Sequence, residues 1–367
     1  MFQTYQDRVT GRTITKLTPD GTLCHQPYFY NRMFTADGKK LVYAREENGV
    51  RGLWMLNLTD GISRCLTEES GIDTFGVNLS ADESAIIYSQ NNSVFRQSLS
   101  TGEKTVLYAT PEGWKGYSNP SLSSDDRRLV TVELRNEDIV HSNSSWDTFE
   151  EQWRKNPLSR IVLVDLQSGT SEVIFQQDCW LGHPQLRPHH DSDISFCHEG
   201  PARRIDARLW MIHNDGSGMH CLRPQEKGEL ITHEFWLADG SRLAFIYRRQ
   251  LEEDAEVTGV KQSILLLDTD TGKEEFVMDC SVYCHSITDH TGRYLVGDGQ
   301  DAREPYIFLT DLKEKKERIL CAHDTSWKSY GNTQDAHPHP VFTPDGSKVL
   351  FTSDRDGLPG IYLTTVE

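Results

Sequence analysis

Apolar and polar positions along the chain alternate in short runs broken by Asp, Gly, Asn and Ser, the patterning of strands and turns and not the longer period of helices. One unit recurs: a strand, a turn holding Asp or Gly, and a second apolar strand. It is clearest in FTADGKKLVYA from Phe34, FWLADGSRLAFIY from Phe235 and VFTPDGSKVLFTSD from Val341. Weaker copies are NLSADESAIIYS from Asn78, SLSSDDRRLVTV from Ser121, QLRPHHDSDISFC from Gln185 and HSITDHTGRYLVGD from His285, which brings the count to seven. Each is followed by another apolar strand, as in LWMLNLTDG from Leu53, IVLVDLQSG from Ile161 and ILLLDTDTG from Ile264. Units of four short strands repeating every ~40–50 residues predict propeller blades.

The fold expected is therefore all-β, a seven-bladed β-propeller forming one domain over 1–367. The last unit stops at IYLTTVE without an outer strand, whereas TGRTITKLT, Thr10 to Thr18, has no unit of its own. This N-terminal strand is expected to close the last blade, which removes two exposed strand edges. A β-sandwich or two stacked β domains is the alternative, and seven matched units weigh against it. One stretch departs from the pattern. In 137–157, SWDTFEEQWRKNP sets Trp146, Phe149 and Trp153 at helical spacing, which predicts a helical insertion that packs on the rim or forms a lid or subunit contact.

Composition narrows the function. At 367 residues and 37% hydrophobic, the chain has material for a large core. The N-terminus lacks a basic start followed by an apolar run, and no long apolar stretch follows, so export and membrane insertion are not expected. Eight Cys at irregular spacing, without CxxC pairs, read as reduced thiols and point to the cytoplasm. A net charge of −17 argues against nucleic acid as a partner and would repel a polyanion at long range. An anionic ligand must then be small and held by a local cation.

The chemistry-bearing residues gather at blade starts. QDAHPHP, Gln334 to Pro340, precedes the last repeat, and in an extended segment His337 and His339 share a face, with Gln334 reaching from the preceding loop. An isolated HxH is ordinarily two surface histidines. Here His285 and His233 stand just before their own repeats, so histidines from three blades are expected at one mouth. Imidazoles with an amide oxygen and no thiolate suit Mn²⁺, Fe²⁺, Ni²⁺ or Zn²⁺ with open positions, and the amide favours a higher-coordinate ion. Arg208, ahead of LWMI, is placed to hold a carboxylate, while Arg203 and Arg204 read as surface charges. Trp180 and His183 of WLGHP, and His198 of FCHEGP, are candidate substrate contacts, with ordinary loop packing as the alternative for WLGHP. Cys280 and Cys284 flank His285 and read as buried inert thiols before they read as ligands.

Several unusual strings in one order, CHQPYFY, WLGHP, FCHEGP, DARLW, THEFW, HDTSWK and QDAHPHPVFTPDG, closely resemble those of the oligogalacturonate lyases, polysaccharide lyases with a seven-bladed propeller, from about Phe2 to the C-terminus. The resemblance implies a Mn²⁺ site on His285, Gln334, His337 and His339, a catalytic base on His233 and a catalytic Arg208. It also implies β-elimination of digalacturonate and unsaturated digalacturonate to 4-deoxy-5-keto-uronate in intracellular pectin degradation, with a small uronate oligosaccharide as partner. A non-catalytic propeller serving as an interaction scaffold is the rival reading.

Overall fold

The computed structural model describes residues 2–116, 119–140, 146–249, 262–300 and 303–367. It is a seven-bladed β-propeller of seven antiparallel sheets, one per repeat, with few helical residues. Six of the seven repeat turns close identically. In the first, Thr35 N–H bonds Lys40 O at 3.0 Å and Gly38 N–H bonds Thr35 O at 2.8 Å; in the last, Thr343 bonds Lys348 at 2.9 Å and Gly346 bonds Thr343 at 2.8 Å. The hydroxyl of Thr35 or Thr343 donates to the following Asp37 or Asp345, at 2.7 and 2.6 Å. The turn needs a left-handed residue, supplied by Gly38 at φ 66° and Gly346 at φ 69°. The fourth copy carries His-His in place of Asp-Gly and is one residue longer, Arg187 N–H reaching Asp193 O at 2.9 Å.

The last sheet runs Gln3–Gln6, Thr13–Lys16, Gly360–Thr365, Lys348–Ser353, Val341–Phe342. Thr13–Lys16 pairs antiparallel with the C-terminal strand, Ile14 opposite Thr364, so the N-terminal strand closes the last blade as expected. The further outer strand Gln3–Gln6 was not legible in the repeat pattern.

The chain divides into two compact units, one of Met1–Gln90, Gln97–Glu103 and Val277–Glu367, the other of Asn91–Arg96 and Lys104–Phe276. The first is built on fully buried Leu41, Tyr43, Leu350 and Ile361 and on Val296, Ile307, Phe351 and Tyr362. In the second, Val130, Ile161, Leu181, Ile194 and Phe196 form the main cluster. Of the predicted insertion 137–157, a helix spans Trp146–Arg154, and residues 141–145 lie outside the described residues. Phe149 packs its ring 4.9 Å from that of Trp180, and Trp153 joins the same cluster, so this part of the aromatic stripe packs on its own unit's core. Among the described residues, no helix is long and apolar enough to cross a membrane.

Candidate active site

In the first unit, His285 lies on the strand Tyr283–Thr288, whose register slips: Tyr283 faces Gly299 and Ser286 faces Gly297, so Cys284 and His285 together stand opposite Asp298. This bulge aims both the amide and the ring of His285 at one carboxylate. Asp298 is fully buried and accepts His285 N–H at 2.5 Å, pairs with His285 Nδ1 at 3.0 Å and accepts His339 N–H at 3.2 Å. Burial raises its carboxyl, and the His285 imidazole with its N–H groups overcomes that, holding Asp298 below the usual carboxylate range. With the proton of His285 fixed on Nδ1, Nε2 presents a lone pair.

The predicted extended strand through His337 and His339 is absent. His337 N–H closes a turn on Gln334 O at 3.0 Å, His339 is left-handed at φ 43°, and the strand begins only at Val341. Pro338 and Pro340 have no N–H for a ladder, so strand alternation is not what brings the rings together. The turn does. His339 Nε2 lies 3.2 Å from His285 Nε2, and His285, His337 and His339 each offer a ligand atom within 4.8 Å of the others. Gln26 of the CHQPYFY string fixes this backbone, its amide donating to Pro338 O at 3.4 Å and to His339 O. Tyr28, Phe29 and Trp327 pack around the imidazoles, Trp327 with its ring centre 4.7 Å from that of His337.

These donors fit a divalent cation. Two nitrogens each ~2.1 Å from one ion stand ~3.0–3.4 Å apart, and the facing Nε2 atoms fall in that range. His337 Nδ1 and Gln334 Oε1 are buried without a hydrogen-bond partner among the described residues, a costly state that a bound ion relieves. Burial, then His285, pushes His337 down to about 3, so its imidazole is neutral and ready to ligate. Cys284 Sγ is 3.8 Å from His285 Nε2, and burial raises its thiol well above the ordinary value, as it does for Cys280. All eight cysteines are free.

In the second unit, Arg208 is 5% exposed, and its side chain is gripped from both sides. Nε donates to Glu234 Oε2 at 2.8 Å, Nη2 to Glu234 Oε1 at 3.4 Å and Nη1 to Glu199 Oε1 at 3.2 Å. Burial opposes the guanidinium charge, and the two carboxylates outweigh it, holding the group well above its ordinary value. Three of its five N–H groups are thereby committed, leaving two without a hydrogen bond among the described residues. Glu199 and Glu234 were missed in the sequence, although each follows a singled-out histidine, in CHEG and THEF.

His183 and His233 sit on bulges of the same kind. Gly182 faces Cys197 and Gln185 faces Ser195, leaving His183 and Pro184 against Phe196; Thr232 faces Ile246 and Phe235 faces Ala244, leaving His233 and Glu234 against Phe245. Both histidines are left-handed, at φ 45° and 55°. His183 Nε2 pairs with Glu199 Oε2 at 3.1 Å; burial lowers its pKa, and Glu199 more than reverses this, leaving His183 raised. His198 stacks on Trp210 at 4.6 Å, and burial pushes it to about 4. Trp180 is 3% exposed and packs within the apolar core, the arrangement of the packing alternative. Arg203 and Arg204 are exposed on a single helical turn.

A model of the oligogalacturonate lyase family matches residues 1–367. The chain is 38% identical to an oligogalacturonide lyase of Pectobacterium atrosepticum, covering 100% of this chain and 96% of that protein. It is similar to a solved oligogalacturonate lyase in complex with manganese, at TM-score 0.95 and 38% identity over 100% of this chain and 96% of that one. A solved oligogalacturonate lyase from Vibrio parahaemolyticus matches at TM-score 0.93 and 39% identity, over 100% and 97% of the two chains.

Proposed function

The chain belongs to the oligogalacturonate lyase family and is a lyase acting on oligogalacturonates, and we propose that it works by metal-dependent β-elimination on digalacturonate and unsaturated digalacturonate. The product is 4-deoxy-5-keto-uronate, formed in the cytoplasm during intracellular pectin degradation. Residues 1–367 act as one domain in this reading. Family membership sets the scaffold alternative aside.

The observation that carries the metal dependence is the facing Nε2 atoms of His285 and His339 with a ligand atom of His337 within 4.8 Å of both, supported by the buried His337 Nδ1 and Gln334 Oε1, which have no hydrogen-bond partner among the described residues. These four residues hold the ion, Mn²⁺ by analogy with the manganese complex of the similar solved chain. Bound there, it supplies positive charge to a uronate carboxylate as negative charge gathers during proton removal. His233 takes the C5 proton, made weakly acidic by the adjacent C6 carboxylate. Arg208, preset by Glu199 and Glu234, directs its two remaining N–H groups at substrate oxygen, and His183 and His198 line the substrate side. His198 Nε2, buried and without a partner among the described residues, suits a sugar hydroxyl.

Digalacturonate incubated with chelated and with Mn²⁺-restored protein tests this, products being identified by ultraviolet absorbance and mass. Activity is expected only after restoration, with the deoxy-ketouronate as product; a saturated product would mark a hydrolase. His233→Ala should lower kcat by roughly 10²–10⁴-fold. Joint replacement of His337 and His339 by Ala should abolish metal retention in elemental analysis.

A further inference from the structure

We propose that His183 is the general acid of the elimination, protonating the glycosidic oxygen as it leaves C4. This rests on the lyase reading above and supplies the one proton that it leaves without a donor.

The second unit builds two histidines in the same way. His183 and His233 each occupy a two-residue bulge near the start of a sheet, each in the left-handed conformation, and each is next to a residue of the Arg208 clamp or bonded to one. On one side, Glu234 follows His233 in the chain and grips Arg208 Nε at 2.8 Å. On the other, Glu199 holds Arg208 Nη1 at 3.2 Å through Oε1 and His183 Nε2 at 3.1 Å through Oε2. The two bulges are tied directly, Gln185 Nε2 donating to Glu234 O at 3.0 Å. His183 thus meets the Arg208 clamp through Glu199, and His233 is next in the chain to its other carboxylate, Glu234.

The partners decide the division of labour. A carboxylate beside a histidine favours its protonated form, the form that can give up a proton. The groups facing His183 are Glu199, Glu234, Arg208 and the Cys197 thiol; burial works against the charged form, and the Glu199 hydrogen bond more than offsets it, so the net effect is to raise its pKa and favour the protonated form. Its side chain is 27% exposed, unlike the clamp residues, so the ring reaches beyond the buried network. His183, Cys197 and Glu199 also lie close enough together to suggest a metal site, but the Arg208 guanidinium already occupies Glu199 and repels a second cation.

The step balances without any further reactant. The C5–H bond breaks and its proton passes to His233; the electron pair forms the C4–C5 double bond, and the C4–O bond breaks toward oxygen. That oxygen takes the proton from His183 Nδ1, while the Nε2 proton stays with Glu199. Exchange with water then returns both histidines to their starting states.

A substrate whose leaving group needs no proton separates this role from a structural one. We take digalacturonate and a galacturonate ether bearing 4-nitrophenoxide on C4, with wild type, His183→Asn and Glu199→Gln. His183→Asn should lose roughly 10²–10⁴-fold on digalacturonate and less than about tenfold on the nitrophenyl ether, because only an alkoxide requires the acid. The alkaline limb of the kcat/KM profile on digalacturonate should vanish in His183→Asn and move to lower pH in Glu199→Gln, since the carboxylate that holds the proton is gone. Equal losses on both compounds, or an unmoved alkaline limb in Glu199→Gln, would overturn the assignment even with the wild type active. A wild type inert on both compounds would instead overturn the lyase reading, and the acid with it.

Discussion

Asp298 accepts from three N–H groups that belong to two of the proposed metal ligands, His285 and His339. An amide at this position keeps the shape but offers one acceptor oxygen and two unwanted donors, so at least one of the His285 and His339 contacts must be lost. Asp298→Asn is therefore expected to weaken Mn²⁺ binding about 10–100-fold by isothermal titration, with the fold intact by circular dichroism. A comparable argument applies to Arg208. Its removal leaves Glu199 and Glu234 buried without their cation, and Arg208→Ala should destabilise the protein by about 3–5 kcal/mol in urea unfolding as well as lowering activity. The two losses need separate measurement. Histidines at blade starts were legible in the sequence because imidazole is uncommon and chemically distinctive. Asp298, Glu199 and Glu234 were not, since an acid is read as surface until the opposing strand shows what covers it.

At the scale of strands, the bulge is the device that turns a repeat into a site. An unbulged strand would set His285, His183 and His233 by simple alternation; two residues against one redirects them. None of this was visible in the chain, because a bulge is a property of a pair of strands. The sequence did show the neighbouring QDAHPHP string, but it suggested an extended segment where the protein uses a turn and a left-handed His339. The bulge that carries His285 depends on Gly297. A Cβ there would lie 2.5 Å from the ring of Tyr283, which is 1% exposed and immediately precedes the bulged pair. Tyr283 has no room to retreat in this core. Gly297→Ala should cost about 1–3 kcal/mol by overpacking, and should weaken Mn²⁺ binding by displacing His285. Stability lost with metal affinity unchanged would show that the strand absorbs the strain elsewhere.

At the scale of the molecule, seven repeats made the architecture legible in the sequence because six of the seven turns recur with the same bonds, and the closing strand was legible because one unit lacked a fourth strand. The formal charge of −17 leaves capture of an anionic sugar to local cations. Closure itself can be tested. Ile14 is fully buried against Val349 and Tyr362 in the core of the first unit, worth roughly 1.5–3 kcal/mol alone. Leu17 N–H bonds Ile361 O at 2.8 Å, Lys16 reaches Asp356 at 3.0 Å, and Asp7 accepts Ala322 N–H at 2.9 Å. Deleting residues 1–18 removes all of these and bares the edge of Gly360–Thr365, a strand buried along most of its length. The shortened chain should melt well below the full one and associate through that edge, visible as concentration-dependent light scattering. A synthetic peptide of residues 1–18 should dock by strand addition and recover part of the melting temperature. A shortened chain that stays monomeric and melts within about 2 °C of the full protein would show that the last blade stands without its N-terminal strands.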